Sequence, residues 1–214
     1  MNDTSTPNRC RLVLTASDVE IPAERVVAAL AGGDVASLIL VQRGEDAAFQ
    51  AYAETIVPVA QAGGVAVIVA GDTRIAGRVA ADGIHLDASK SAIDEAVRKH
   101  AGRLIVGAGG AKTRHDALEL GEAQPDYLLF GRFGYDRDPK PHPRNLDMAE
   151  WWAGIVNIPC IVQAGSAMES VAVCAATGAE FVALSAAVFD VGDPREAVAA
   201  ANALLDEAAP LFEG

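Results

Sequence analysis

GIHLDASKSAIDEAVRKHAGRLIVGA, residues 83–108, decides the fold. Two short apolar runs, 83–88 and 103–108, flank a charged segment at 90–101 whose apolar residues recur with helical spacing. The runs are near-continuous rather than alternating, as expected for strands covered on both faces. Outward from this unit the same rhythm fills the chain. Further strands are expected at RLVLTA (11–16), ASLILVQ (36–42), VAVIVAG (65–71), DYLLFGRF (126–133), PCIVQAG (159–165) and FVALSA (181–186). Helical patterns fall at 20–31, 45–61, 73–81, 113–123, 147–156, 167–177 and 194–208. Eight strands alternating with eight helices make the count of a compact (β/α)8 barrel of the TIM type. An open doubly wound sheet is the structural rival. It usually carries a Gly-rich fingerprint after its first strand, where this chain has LTASD.

The 214 residues show no linker or shift of composition, so one barrel domain is expected over 1–214, with 1–9 as a flexible N-terminus. Half of the chain is apolar (51%), enough for a sizeable core, and aromatics are only 5%. Small residues of this kind suit helices packed closely on a parallel sheet. With 17 basic against 29 acidic residues, the net charge of −12 argues against nucleic acid and anionic membranes as partners. Cys10, Cys160 and Cys174 have no metal spacing and read as reduced residues, two of them in apolar runs. The N-terminus lacks a basic-then-apolar signal and no apolar run approaches ~18 residues, so a cytoplasmic protein is expected.

In such barrels chemistry sits at the carboxyl ends of the strands. Those ends supply Gln42-Arg43, Gly71-Asp72, His85 to Lys90, Gly107 to Gly110, Gly131-Arg132, Gln163 to Ser166 and Ser185-Ala186. Arg43, Lys90, Arg132 and Lys140 are therefore expected at one mouth, a notable cluster in an acidic protein. IVQAGS runs straight into a helix, which would present the N–H groups near Gly165 and Ser166 to an anion. The plainer reading gives Gly165 a turn and Ser166 a cap. The loop GRFGYDRDPKPHPRN (131–145) is the longest irregular segment, and loops of that kind are commonly lids or binding loops. His85, inside an apolar strand, reads first as a satisfied core histidine. Trp151-Trp152 is expected to pack against the barrel or against a second subunit. Metal-binding H-x-x-x-H and C-x-x-C patterns and the hydrolase G-x-S-x-G are lacking.

Over roughly residues 36–190 the order of blocks resembles the family of thiamine phosphate synthase and its relative, the thiazole tautomerase. The blocks are VQR after strand 2, GD after strand 3, ADGIHL, IVGAGG, PDYLLFGR, IPCIVQAGS and GAEFVALSAAVF. The resemblance implies a thiazole phosphate held at Gly165, Ser166, Ser185 and Ala186. It implies a pyrimidine diphosphate held at Gln42 and Arg43, with Arg132, Lys140, Gly109 and Gln163 around the same mouth, and a homodimer. Departures accompany it. Gly71-Asp72 stands where the family has Asn-Asp, and Gly109 replaces a Ser. Asp136-Arg137-Asp138-Pro139, followed by Lys140, replaces a Thr-x-Thr-Lys lid. Lys90 stands where a magnesium-binding carboxylate would be. Asp87 could take over that role beside Asp72, or Lys90 could meet a phosphate directly and leave no need for magnesium. The function implied is transfer of a pyrimidine methyl group from its diphosphate to a thiazole phosphate, with Arg43, Asp72, Lys90 and Arg132 carrying the chemistry. The alternatives are a tautomerase-like isomerase, whose His after the strand 6 Gly is here Arg132, and a non-catalytic barrel binding a phosphorylated small molecule.

Overall fold

The computed structural model describes residues 7–212. Strands β1 (Arg11–Ser17), β2 (Ser37–Val41), β3 (Ala66–Ala70), β4 (Gly83–Leu86), β5 (Ile105–Ala108), β6 (Tyr127–Phe130), β7 (Cys160–Gln163) and β8 (Phe181–Leu184) pair in sequential order. All the pairings are parallel and β8 returns to β1, closing a barrel. The helices are α1 (Ala23–Leu30), α2 (Asp46–Ala62), α3 (Thr73–Arg78), α4 (Lys90–His100), α5 (Arg114–Glu122), α6 (Pro143–Ala153), α7 (Ser170–Ala175), α8 (Ala186–Phe189) and α9 (Pro194–Ala208).

The near-continuous apolar strands have a direct explanation here. Along β1, Leu12 and Leu14 face the layer beneath the helices, whereas Val13 joins the cluster inside the barrel. Ile39, Val41, Ile68, Tyr127, Leu129, Phe133, Ile161 and Ala183 complete that inner cluster. Both faces of the strands are therefore largely covered, and polar strand residues such as Thr15, Ser17, His85 and Gln163 are themselves buried.

Acidic residues just before the even-numbered strands fasten the odd strand ahead of each. Asp34 forms a two-pronged pair with Arg11 of β1, at 2.9 and 2.6 Å. Asp82 accepts the Val67 N–H at 2.7 Å, Asp126 the Val106 N–H at 2.7 Å, and Glu180 the Cys160 N–H at 2.8 Å. At the opposite, carboxyl-end face, two glutamines do the equivalent work. Gln42 Oε1 accepts the Asp72 N–H at 2.8 Å, and Gln163 Oε1 accepts the Arg132 N–H at 2.6 Å. Gly71 and Gly131 make room for them, since a Cβ at either would lie 2.6 Å or 2.5 Å from the glutamine's Cβ.

The differences from expectation are local. Residues 1–6 of the expected flexible terminus lie outside the described residues, and Arg9 is buried. It is 6% exposed and donates to Asp206 at 2.7 Å and to the Cys10 carbonyl at 2.8 Å. Helix α6 begins at Pro143 rather than 147, because proline suits a first helical position and the His142 ring accepts the Arg144 N–H. Helix α7 is shorter than 167–177, and α8 is a single extra turn after β8. Trp152 is buried against Phe130 and donates Nε1–H to the Ile158 carbonyl, while the Arg114 guanidinium lies over Trp151. The pair thus packs against the barrel. Among the described residues no helix is long and apolar enough to cross a membrane.

Candidate active site

The carboxyl-end mouth holds two adjoining regions. The first is an open cavity of about 380 Å³ lined by Gln42, Arg43, Gly71, His85, Asp87, Arg132 and Phe133. Arg43 is oriented by its own bonds: its N–H reaches Asp18 at 2.8 Å and its guanidinium reaches the Phe133 carbonyl at 3.1 Å. The Arg132 guanidinium lies 3.9 Å above the Tyr135 ring. Both cations thus belong to one cavity, as the strand-end reading expects. Gln42 and Gln163 hold the strand ends in position, as described above, so both act on the loops that frame the mouth.

Lys90 departs from that reading. It is the first residue of α4 and its ammonium pairs with Glu122 at the end of α5, an exposed ion pair that raises the lysine's pKa. It does not line the cavity of Arg43 and Arg132. The acidic outer face of α5 draws the side chain sideways. Lys140 is exposed on the β6–α6 loop, its N–H bonded to Asp138 at 2.9 Å.

The two carboxylates considered for magnesium differ in their company. Asp72 caps α3 and is gripped by the Arg74 guanidinium, which holds its pKa down to about 2. Asp87 lines the cavity with half of its side chain exposed, and its Oδ1 lies 3.4 Å from His85 Nε2. The hydrogen bond with His85 lowers its pKa, aided by Arg132 and Arg43. Among the described residues no group of three or more His, Cys, Asp or Glu side chains could hold a metal ion. Magnesium demands near-octahedral oxygen ligation and usually rests on one or two carboxylates together with substrate phosphates. With Asp72 already paired and Asp87 set among arginines, the donor set does not fit an ion held by protein alone.

The second region is the turn from β7 and β8, where the β6–α6 loop lies directly on the backbone. Ser166 donates its N–H to the Asp138 carbonyl at 2.8 Å and its hydroxyl to the Arg137 carbonyl at 3.1 Å. Ala167 N–H reaches the Pro139 carbonyl at 3.3 Å, and Gly165 N–H reaches Ser170 Oγ at 3.1 Å. The Asp136 carboxylate, 5% exposed, accepts the Ala186 N–H at 2.8 Å. A Cβ on Gly165 would stand 2.5 Å from the Pro139 carbonyl oxygen, so only glycine lets the loop come this close. Beside Asp136 lies a cavity of about 30 Å³ lined by Thr15, Ser17, Arg43 and Ser185, and the buried Ser17 hydroxyl has no protein partner. The expected anion donors are thus grouped as Gly165, Ser166 and Ala186, and the chain's own oxygens meet them.

Sequence reasoning passed over two features. His85 is buried and partnered, as expected of a core histidine, and its ring also joins the buried Tyr127 to Asp87 at the cavity edge. Asp136 is one charge among many in a polar loop, and nothing in the local pattern marks it as buried.

The strand-end mouth of this closed parallel barrel gathers Arg43 and Arg132 beside Asp87, at the end where barrels of this type carry their sites. The thiamine monophosphate synthase family model matches residues 10–188. The chain is 32% identical to a thiamine-phosphate synthase of Hyphomonas neptunium over 98% of this chain and all of that one. It is 31% identical to a thiamine-phosphate synthase of Rhodospirillum centenum, covering 92% of this chain and 98% of the relative. The fold matches a thiamine phosphate pyrophosphorylase of Pyrococcus furiosus with a TM-score of 0.78 at 22% identity, over 94% and 98% of the two chains. The chain belongs to the thiamine monophosphate synthase family.

Proposed function

We propose that this protein is a transferase of thiamine biosynthesis, joining a pyrimidine methyl diphosphate to a thiazole phosphate. The observation that carries the reading is the pairing of Arg43 and Arg132 in one cavity of a chain that matches the family over most of its length. In this reading the two guanidiniums take the diphosphate and stabilise the charge it gains as it leaves, the kind of electrostatic term that usually dominates catalysis. The thiazole phosphate takes the N–H groups of Gly165, Ser166 and Ala186, beside Ser185, and the β6–α6 loop swings off them to admit it. Lys140 travels on that loop, and Gly109 lies against Asp87 and His85, which line the cavity. Magnesium enters as part of the diphosphate substrate. Asp72 can meet it only when Arg74, whose side chain is mostly exposed, lets go.

Replacing Arg43 or Arg132 with Ala tests the reading by calorimetric titration with pyrophosphate. A charge-assisted contact is worth about 1.5–3 kcal/mol, so each variant should bind roughly ten- to a hundredfold more weakly. Unchanged affinity in both would remove the diphosphate from this cavity. An isomerase would need a base after Gly131, and the residue there is Arg132, lying on Tyr135. A homodimer and a cytoplasmic setting complete the proposal on the strength of the family alone. Light scattering that shows a monomer at micromolar concentration would remove the dimer.

A further inference from the structure

Three residues that the transferase reading leaves without a role form one unit. His85 is buried inside the barrel near its mouth, stacked on Tyr127 with ring centroids 5.6 Å apart and meeting Phe133 edge-on at 5.1 Å. Its Nδ1 lies 3.0 Å from Tyr127 Oη and its Nε2 lies 3.4 Å from Asp87 Oδ1. Burial pushes the Tyr127 hydroxyl far above its ordinary pKa, so it stays protonated and is able to donate to Nδ1. In the arrangement where Nδ1 accepts from Tyr127, the ring N–H on Nε2 faces Asp87. Gly109 completes the unit, because a Cβ there would collide with Asp87 Oδ1 and stand 2.8 Å from His85 Nε2. Any side chain at 109 would force the carboxylate to shift from this position.

The cavity is therefore bipolar, with Arg43 and Arg132 as cations and Asp87 as a fixed anion. Such a distribution of charge matches a reaction that separates charge. Breaking the C–O bond of a heteroaryl methyl diphosphate sends the electron pair to the diphosphate oxygen and leaves positive charge on the methyl carbon and ring. The thiazole nitrogen lone pair then forms the new C–N bond, and no proton needs to move. Arginines suit one product of that heterolysis and a carboxylate suits the other.

We propose that Asp87 binds the aminopyrimidine half of the substrate, accepting a ring amine N–H and lying against the positive charge that develops there. His85 and Tyr127 are positioning residues for it, and Gly109 supplies the space. The inference rests on the transferase reading and assigns the cavity's negative pole within it.

The test uses the full chain and two separate probes, the free aminopyrimidine alcohol and inorganic pyrophosphate, titrated by calorimetry with and without magnesium. Asp87→Asn should weaken the alcohol about ten- to a hundredfold, the range of a lost charge-assisted bond, and leave pyrophosphate unchanged or tighter. Gly109→Ser should do the same from the opposite side of the carboxylate, which guards against misfolding of a His85 variant. His85→Gln should raise KM for the pyrimidine substrate and not for thiazole phosphate, a split that general loss of structure would not produce. Unchanged affinity for the alcohol in Asp87→Asn, or loss of magnesium-dependent pyrophosphate binding instead, overturns the proposal. So does a native chain that binds pyrophosphate but not the alcohol. A native chain that binds neither overturns the transferase reading itself.

Discussion

The Asp136 carboxylate accepts the Ala186 N–H at 2.8 Å, in the place where a phosphate oxygen of the thiazole substrate would lie in the proposed function. Carbonyls of Arg137, Asp138 and Pro139 continue the same loop along Ser166 and Ala167. In the proposed function, substrate phosphate and loop would compete for this one set of donors, and the loop's hold would set how tightly phosphate binds.

Asp136→Ala should consequently tighten binding of thiazole phosphate while costing about 1–3 kcal/mol of folding stability, the usual cost of a buried donor left without its partner. Hydrogen exchange checks this independently of ligand. The Ala186 amide should exchange faster in the variant, and thiazole phosphate should restore its protection. Weaker binding together with unchanged exchange would show that Asp136 does not restrain the loop.

At the other face of the barrel the expectation is stability without chemistry. Asp126→Ala strips the Val106 N–H of its acceptor and should cost about 1–3 kcal/mol in chemical denaturation. KM for both substrates should stay at the native value. A changed KM with native stability would contradict the scaffold role.

Lys90 supplies the contrast. Its exposed pair with Glu122 is of the kind that contributes little, so Lys90→Ala should leave both melting temperature and pyrophosphate affinity at native values. A substantial loss of pyrophosphate affinity would return Lys90 to the mouth.

Asp87 contributes one part of the pH dependence of stability, because its pKa is lowered from 3.8 in the folded chain by its bond to His85. A depressed carboxylate contributes stability that is present above its unfolded pKa and disappears as pH falls through the folded one. Asp87→Asn should thus be less stable than the native chain at pH 7, with the two converging well below pH 3.8. Denaturant titrations at both ends check the sign, and a gap that widens in acid would refute it.

The barrel was legible because its signal repeats. Eight apolar runs at regular spacing survive small errors of boundary, as at α6, where Pro143 moves the start without moving the helix from its layer. The family blocks were legible for a different reason. Asp82, Asp126 and Glu180, inside ADGIHL, PDYLLFGR and GAEFVALS, are backbone fasteners, so much of the recognisable pattern records the scaffold. The strand ends correctly brought Arg43 and Arg132 together, since strand register places them. Lys90 escaped that logic, because a long side chain at a helix start follows the nearest opposite charge, here Glu122. Asp136 and the Asp87–Gly109 contact depend on distant segments meeting, which no local pattern encodes.

Turnover tests the central claim most directly. Purified protein, pyrimidine methyl diphosphate, thiazole phosphate and magnesium are incubated, and thiamine phosphate and pyrophosphate are quantified. Equal amounts of both products are predicted, with Arg43→Ala and Arg132→Ala each slower by roughly ten- to a hundredfold, at about 1.4 kcal/mol per factor of ten. No thiamine phosphate from native, folded protein, or a rate indifferent to both arginine substitutions, would contradict the account.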